Sequence, residues 1–251
     1  PMIILKTKKG WTGPKYVDNK KIEGTYRSHQ VPLPLDNDEE LKLLEKWLRS
    51  YHPEELFDEN GKIKPYIKSI VPYNRMGASP YANGGKLLKE LKVPDIDKYS
   101  VDVEKPGCVE KEDMRVLGSF IRDIIKNNPN NFRAFGPDET MSNRLSHLFD
   151  ITTRRWYLPT KKEDDYLSPS GRVMDSYLSE HTCEGWLEGY ILTGRHGFFA
   201  SYEAFIRIID SMASQHAKWI KVSKELSWRE EIDSLNYILT SNVWQQDHNG
   251  Y

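Results

Sequence analysis

The chain has few cysteines, no long apolar run and almost no net charge, and each of these absences excludes a class of protein. Its two cysteines, Cys108 and Cys183, lie far apart, which argues against a disulfide framework and favours a reducing compartment, the cytoplasm. No apolar run approaches the roughly 18 residues that span a bilayer, and the first residues do not resemble a secretory signal. Because 36 Lys and Arg residues nearly balance 37 Asp and Glu residues, no overall field favours nucleic acid or an anionic membrane as a partner.

Several familiar catalytic and metal-binding motifs are missing as well. The sequence contains neither a Gly-x-Ser-x-Gly elbow nor a Walker loop. His181 and Cys183 raise the question of zinc, but no His-Glu-x-x-His or Cys-x-x-Cys pair supplies the other ligands, so we predict no metal site in this chain. A glycosidase with paired carboxylates is conceivable from the acidic and aromatic content, although the sequence does not show two carboxylates facing one sugar.

The apolar pattern predicts an α/β protein. Strands that alternate with helices after residue 110 indicate a mostly parallel sheet. From residue 52 to about 110 the pattern weakens into prolines and glycines, which suggests a linker or a functional loop. In the helix capped by Asp36 or Asn37, an apolar face of Leu41, Leu44, Trp47 and Leu48 is expected to be buried. The predicted helices are 37–50, 111–127, 180–193 and 202–221, and the predicted strands are 2–7, 131–135, 197–200 and 234–240.

A carboxylate and an imidazole, Glu180 and His181, stand at a predicted helix start. Two interpretations of Glu180 remain open at this point. It could be a buried acid whose raised pKa lets it exchange a proton with a ligand nitrogen. The simpler interpretation is a solvated glutamate in the first helical turn, favoured by the helix dipole.

A second polar group follows the strand predicted at 131–135. Glu139 and Arg144 flank Ser142, an arrangement suited to holding a polar or anionic group at the carboxyl end of a strand. A capped helix start with an internal ion pair fits the same spacing. Lys9 and His29 lie in predicted loops, where either could donate to phosphate or stay solvated.

Five ordered motifs together give the chain a family resemblance that runs nearly from end to end. With them, the sequence resembles phosphoketolases, thiamine diphosphate enzymes related to transketolase. The motifs are residues 7–14 (TKKGWTGP), 28–32 (SHQVP), 135–140 (FGPDET), 179–181 (SEH) and 244–250 (WQQDHNG).

The resemblance implies an activity and assigns roles to residues. It implies that xylulose 5-phosphate, and often fructose 6-phosphate too, is cleaved with inorganic phosphate to acetyl phosphate, a shorter aldose phosphate and water. Glu180 matches the glutamate that hydrogen bonds the aminopyrimidine of the cofactor, and Tyr202 matches an aromatic residue near that ring. The remaining matches are Glu139 and Lys9 for cofactor binding, His29 for catalysis and substrate binding, and Ser142, Arg144, Gln246 and Asn249 for substrate binding.

The resemblance also implies that the chain is a fragment. Family members run to roughly three times this length, which implies several domains. The Gly-Asp-Gly motif that binds Mg²⁺ is absent, so the metal ligands are expected outside this chain. Residues 1–50 would end the diphosphate-binding domain, 51–130 would be the linker, and 131–251 would be a truncated pyrimidine-binding domain. We expect a homodimer in the full-length enzyme and an inactive fragment; the alternatives are a transketolase and a noncatalytic interaction module.

Overall fold

The computed structural model describes residues 2–29, 33–71, 79–81 and 88–240. Its contacts divide the chain into two compact units, Pro1–Tyr73 and Asn74–Tyr251, and each unit is described by itself. Among the described residues, no helix combines the length and the apolarity that a membrane crossing requires.

The first unit is small, and short helices are its main regular elements. Its core consists of Val17, Ile22 and Leu33, against which Leu43, Leu44 and Trp47 of the first helix pack. Its elements are an antiparallel pair of strands, β1 (Tyr16–Val17) and β2 (Lys20–Lys21), a 3-10 turn (Tyr26–Ser28), and the helices α1 (Asp38–Arg49), α2 (Pro53–Leu56) and α3 (Pro65–Ile70).

Helix α1 begins where its sequence predicts. The Asn37 side chain accepts a hydrogen bond from the Glu40 amide at 3.0 Å, and the Glu40 carboxylate accepts one from the Asp36 amide at 2.9 Å. This reciprocal capping satisfies amide groups that the helix itself leaves open. The predicted buried face is correct for Leu44 and Trp47.

Two expectations for the first unit are wrong. Leu41 and Leu48 of α1 are 57% and 54% exposed, because the core lies on the side of the helix that carries Leu43. Residues 2–7 form no strand, and the side chains of Met2 to Leu5 are each at least 77% exposed. An apolar run becomes a strand only where another strand offers its hydrogen-bonding edge, and none does so among the described residues.

The second unit is an α/β layer structure around a six-stranded sheet. The order of its strands is β5-β4-β6-β3-β7-β8, and every neighbouring pair is parallel, which confirms the predicted fold class. Its strands are β3 (Phe132–Phe135), β4 (Arg154–Arg155), β5 (Leu167–Ser168), β6 (Val173–Met174), β7 (His196–Tyr202) and β8 (Tyr237–Thr240), and its α-helices are α4 (Asp113–Asn127), α5 (Glu180–Ile191) and α6 (Asp210–Ser223).

Helices cover both faces of this sheet. The predicted apolar stripe of α4, including Ile121, packs with Phe198 and Ala200 of β7 on one face. On the other face Phe199 packs with Leu187 of α5, since successive side chains of a strand point to opposite faces. All seven residues of β7 are buried, so this strand forms the centre of the three layers.

The segment after β7 differs from its prediction. The predicted helix from Tyr202 is a strand end followed by a 3-10 helix (Glu203–Ile209), and the α-helix begins only at Asp210. As a result Tyr202 is the last residue of β7, at the carboxyl edge of the sheet. Strands β4, β5 and β6 were not predicted; each has only two residues, too few to show an alternating pattern.

Candidate functional site at the carboxyl ends of the strands

Polar residues collect at the edge of the sheet where the parallel strands end. The loop at residues 136–145 leaves β3, Asp175 follows β6, Tyr202 ends β7 and Thr240 ends β8. Because parallel strands end at a common edge, these segments come together in space, as is usual for ligand sites in open α/β sheets.

A cavity of about 430 Å³ opens at this edge. Three of the predicted site residues, Ser142, Arg144 and Tyr202, are among the side chains around it. The other residues that line the cavity are Glu112, Asp113, Met114, Asn143 and Thr240. The structure therefore brings together side chains that are up to 128 positions apart in sequence (112 to 240).

Glu139 is the most strongly perturbed acid at this edge of the sheet, although neither it nor Glu180 is among the side chains that line the cavity. Burial raises the pKa of its carboxyl to about 7, and the negative charge of Glu180 adds to the shift. The backbone of Tyr202 and the side chain of Asn143 partly offset it. Oxygen Oε2 of Glu139 is buried and has no hydrogen-bond partner among the described residues. A buried carboxyl oxygen without a partner is costly unless a ligand or water satisfies it.

Glu180 combines features of both interpretations that its sequence leaves open. It is half-buried and lies in the first turn of α5, whose N-terminus is capped by the Ser179 side chain. Ser179 accepts a hydrogen bond from the Thr182 amide at 3.3 Å, so the helix start does not depend on Glu180. The carboxylate is close enough to Glu139 to raise the pKa of that residue.

The loop after β3 holds Ser142 and Arg144 at the mouth of the cavity. The Ser142 hydroxyl donates to the Glu139 carbonyl at 3.2 Å, and Nε of Arg144 lies 3.4 Å from a carboxylate oxygen of Glu112. Arg144 and Asp138 both have φ of +62°, a left-handed conformation that non-glycine residues rarely adopt. No helix starts at Ser142, so the loop is shaped by these contacts and by strained backbone.

Tyr202 supplies an aromatic wall to the cavity. Its ring stacks on Phe205 with centroids 6.1 Å apart and planes inclined by 29°. The residue is 5% exposed, so the ring is fixed by packing at the end of β7. Such a wall suits a flat ligand ring beside the two carboxyl groups.

Sequence reasoning missed a buried ion pair that anchors the loop. Asp175, with 0% exposure, accepts a hydrogen bond from the Thr140 hydroxyl at 2.6 Å and one from Nε of Arg154 at 2.9 Å. Burial raises the pKa of Asp175, although Thr140 and Arg154 act in the opposite direction. These partners lie 35 and 21 positions away in sequence, so no local pattern could reveal them.

A second missed contact joins the loop to the last described strand. The Thr240 hydroxyl donates to Oδ1 of Asn143, and both residues are buried at the cavity. They are 97 positions apart, and neither belongs to a recognisable motif. No set of three or more His, Cys, Asp or Glu side chains in the described part of the chain is arranged to hold a metal ion.

The positions of four predicted site residues relative to this edge stay untested. Lys9 and His29 belong to the first unit, where both side chains are exposed. The Lys9 carbonyl accepts from the Gly24 amide at 2.7 Å, and the His29 amide donates to the Tyr26 carbonyl at 2.9 Å. Gln246 and Asn249 lie outside the described residues, which end at Thr240, so their roles stay predictions.

Two family models match the chain. The model described as D-xylulose 5-phosphate/D-fructose 6-phosphate phosphoketolase matches residues 115–251, and the model of the N-terminal domain of the same family matches residues 1–87. The first match includes the cavity-lining residues from Ser142 to Thr240.

Similar proteins cover the whole chain. A probable phosphoketolase of Nitrosomonas europaea is 58% identical, and those of Clostridium acetobutylicum and Nitrosospira multiformis are 59% and 60% identical. In each comparison the match takes in 100% of this chain and 32% of the relative, so the chain spans about a third of the length of these proteins.

A weaker similarity links the chain to a solved structure. Transketolase from Campylobacter jejuni aligns with 52% of this chain and 17% of its own, at 15% identity and a TM-score of 0.31. A TM-score of this size does not establish a shared fold.

Proposed function

The chain belongs to the D-xylulose 5-phosphate/D-fructose 6-phosphate phosphoketolase family, and we propose that the full-length protein containing it is a phosphoketolase, an aldehyde-lyase. It would cleave a carbon–carbon bond of xylulose 5-phosphate with inorganic phosphate, giving acetyl phosphate, a shorter aldose phosphate and water. Fructose 6-phosphate is the second substrate that we propose. The two unpaired cysteines support the cytoplasm as its compartment.

The unsatisfied carboxyl of Glu139 is the observation that carries this proposal. With a pKa of about 7, the group is able both to donate and to accept a hydrogen bond near neutral pH. Its orphan oxygen and the neighbouring Glu180 carboxylate could together receive a flat heterocycle that bears nitrogen atoms and an amino group, with Tyr202, which lines the cavity, as the aromatic contact.

Thiamine diphosphate is the cofactor that we propose for this site. When bound, it supplies a nucleophilic carbon that attacks the carbonyl carbon of the ketose. Glu180 would donate or accept a proton at a ring nitrogen, Tyr202 would pack against the pyrimidine, and Glu139 would hold the polar edge. We propose that Lys9 contributes to diphosphate binding and that the ligands of Mg²⁺ lie outside this chain.

Substrate binding would fall to the other side of the cavity. Arg144 carries a planar fork of donors suited to a phosphate group, and its present ion pair with Glu112 is half exposed and therefore exchangeable. Ser142 is exposed beside it and offers a hydroxyl. We further propose that His29, Gln246 and Asn249 complete the substrate site, with His29 also acting in catalysis, and that the full-length enzyme works as a homodimer.

The products decide between this proposal and the related transketolase reaction. The full-length protein should be incubated with xylulose 5-phosphate, inorganic phosphate, thiamine diphosphate and Mg²⁺, with and without an acceptor aldose phosphate. We expect acetyl phosphate to form without the acceptor and to require inorganic phosphate. A longer ketose phosphate that forms only with the acceptor would contradict the proposal and indicate two-carbon transfer.

The chain by itself should lack a complete cofactor site. We expect calorimetry of this 251-residue chain with thiamine diphosphate and Mg²⁺ to show weak binding or none, since the proposed metal ligands lie elsewhere. Tight binding of thiamine diphosphate by the chain alone would show that the chain contains a complete cofactor site, and would contradict this expectation.

A further inference from the structure

A group of arginines lies on the face of the sheet that α5 covers, apart from the cavity at the carboxyl edge. Arg133 of β3, Arg155 of β4 and Arg172, which precedes β6, converge near Tyr190 of α5. Because a helix rises 1.5 Å per residue, Tyr190 lies about 15 Å along α5 from Glu180. The cavity that two of these arginines line shares no residue with the carboxyl-edge cavity.

Neutral groups hold each of these guanidinium groups in place. Arg172 donates to the Phe132 carbonyl at 3.0 and 2.8 Å and to the Tyr190 hydroxyl at 2.6 Å. Arg133 donates to the Gly171 carbonyl at 3.2 Å, and its guanidinium lies 5.5 Å from the centre of the Tyr190 ring. These contacts order the side chains without neutralising them.

No carboxylate compensates the three positive charges. Among the described residues, none of the three arginines forms an ion pair with Asp or Glu, although the same sheet contains the Arg154–Asp175 pair. Burial lowers the pKa of Arg172 and Arg155, and the charge of Arg133 lowers both further. Like charges held together and partly withdrawn from water are unfavourable unless an anion joins them.

The cluster opens into a cavity of about 460 Å³. Arg133 and Arg155 line it together with Trp186 and Tyr190, and a side chain at Gly189 would meet nothing within 4 Å. Arg172 adds its charge without lining the cavity. Since each lining arginine uses only part of its five N–H donors on carbonyl groups, donors are left for a ligand.

We propose that Arg133, Arg155 and Arg172 form a binding site for a phosphate group, separate from the site of the proposed function. Guanidinium groups match phosphate oxygens with paired, charge-assisted hydrogen bonds, and Trp186 and Tyr190 stand beside them in the cavity. The phosphate group could belong to the free inorganic ion or to a small phosphate ester. The inference rests on these residues alone and does not depend on the activity of the full-length protein.

Calorimetry with inorganic phosphate tests the site on the 251-residue chain. All titrations use the Arg144→Gln background, which removes the arginine of the carboxyl-edge cavity as a competing site. In that background Arg155→Gln should weaken phosphate binding at least tenfold, and Arg155→Lys should weaken it less because the charge is kept. Arg207→Gln, which removes an exposed arginine outside the cluster, is the matched control and should leave the affinity unchanged.

Arg133→Gln is the second variant, and circular dichroism confirms folding of every sample. Equal affinity in the Arg155→Gln, Arg133→Gln and control chains would overturn the proposal, as would the absence of saturable binding at millimolar phosphate. Titration with a sugar phosphate identifies the source: tighter binding than that of inorganic phosphate assigns the site to an ester, and weaker or equal binding assigns it to the free ion. Loss of the binding in the full-length protein would mean that another segment neutralises the cluster, and would also overturn the proposal.

Discussion

Glu139 and Asp175 are two carboxylates at the same edge of the same sheet, and their surroundings are opposite. Asp175 is fully buried and accepts hydrogen bonds from Thr140 and Arg154. Glu139 is half-buried, faces the negative charge of Glu180 and keeps one buried oxygen without a partner. The satisfied acid fixes the loop, whereas the unsatisfied acid is the group left available to a ligand.

This difference follows from the positions of the two residues. Asp175 follows β6 and bonds to a cation on β4 and to a hydroxyl of the loop after β3, so both of its partners are part of the folded unit. Glu139 lies in the loop after β3, the loop whose residue Ser142 lines the cavity of about 430 Å³. Thr140, the next residue, bonds to Asp175, so the structural acid holds the loop that presents the functional one.

Removal of the structural acid should have the largest effect on stability. Asp175→Ala leaves Arg154 partly buried without its partner and should lower the free energy of unfolding by about 3 kcal/mol. Urea denaturation followed by circular dichroism measures this. Asp175→Asn, which keeps the shape and a hydrogen-bond acceptor, is the control and should cost less. If Asp175→Ala lowered the free energy of unfolding by less than Asp175→Asn does, the ion pair would not anchor the loop.

Replacement of Glu139, the unsatisfied acid, should raise the free energy of unfolding above neutral pH. The folded pKa of Glu139, about 7, exceeds its ordinary value of 4.5, so its contribution to stability is present below pH 4.5 and is lost as the pH rises through 7. Glu139→Gln removes this loss. The advantage of the variant over the unsubstituted chain in free energy of unfolding should therefore be about 1 to 2 kcal/mol larger at pH 8 than at pH 4.5. This figure takes into account that water partly screens the half-buried carboxyl.

Unfolding in urea at both pH values measures the effect of Glu139→Gln. Burial also raises the pKa of Glu184 to about 7, but this residue lies at the contact of α5 with β8 and keeps its own contribution in the variant. The difference between the two chains therefore reports on Glu139 together with its repulsion of Glu180. An equal pH dependence in both would show that Glu139 is solvated in the folded chain.

Thr140→Val should have the smallest effect. It removes the hydroxyl that donates to Asp175 but leaves the Arg154 pair intact, so we expect a loss of about 1 kcal/mol in the free energy of unfolding. Combining it with Asp175→Ala should cost little more than Asp175→Ala alone, since both act on one contact. If the losses of the two single variants added up in the double variant, Thr140 would contribute to stability independently of Asp175.

The sequence predicts the long elements of the fold and misses the short ones. Helices α1, α4 and α5 carry a cap or an apolar stripe over at least 12 residues, which is enough to show their period. Strands β4 to β6 have two residues each and exist only because neighbouring strands pair with them. The apolar run at residues 2–7 shows the converse, since a strand-like composition without a partner stays irregular and exposed.

The site is predictable to a similar degree. The motif around Glu139 and the helix start at Glu180 mark their positions, because the residues of each motif are adjacent in sequence. The anchor at Asp175 and the contact of Asn143 with Thr240 depend on the pairing of strands that are distant in sequence, so no local sequence pattern predicts them. The arginine cluster was missed for the same reason: two members lie in β3 and β4, the third precedes β6, and they are recognisable only as neighbours in space.

The catalytic rate of a Glu180→Gln variant of the full-length protein tests the central claim most directly. Glutamine preserves the size of the side chain and the Ser179 cap of α5, but it does not exchange a proton with a ring nitrogen. We expect the formation of acetyl phosphate to fall at least 100-fold while the far-ultraviolet circular dichroism and the urea midpoint stay within the range of Glu203→Gln, an exposed control. Turnover close to that of the unsubstituted protein would contradict the account.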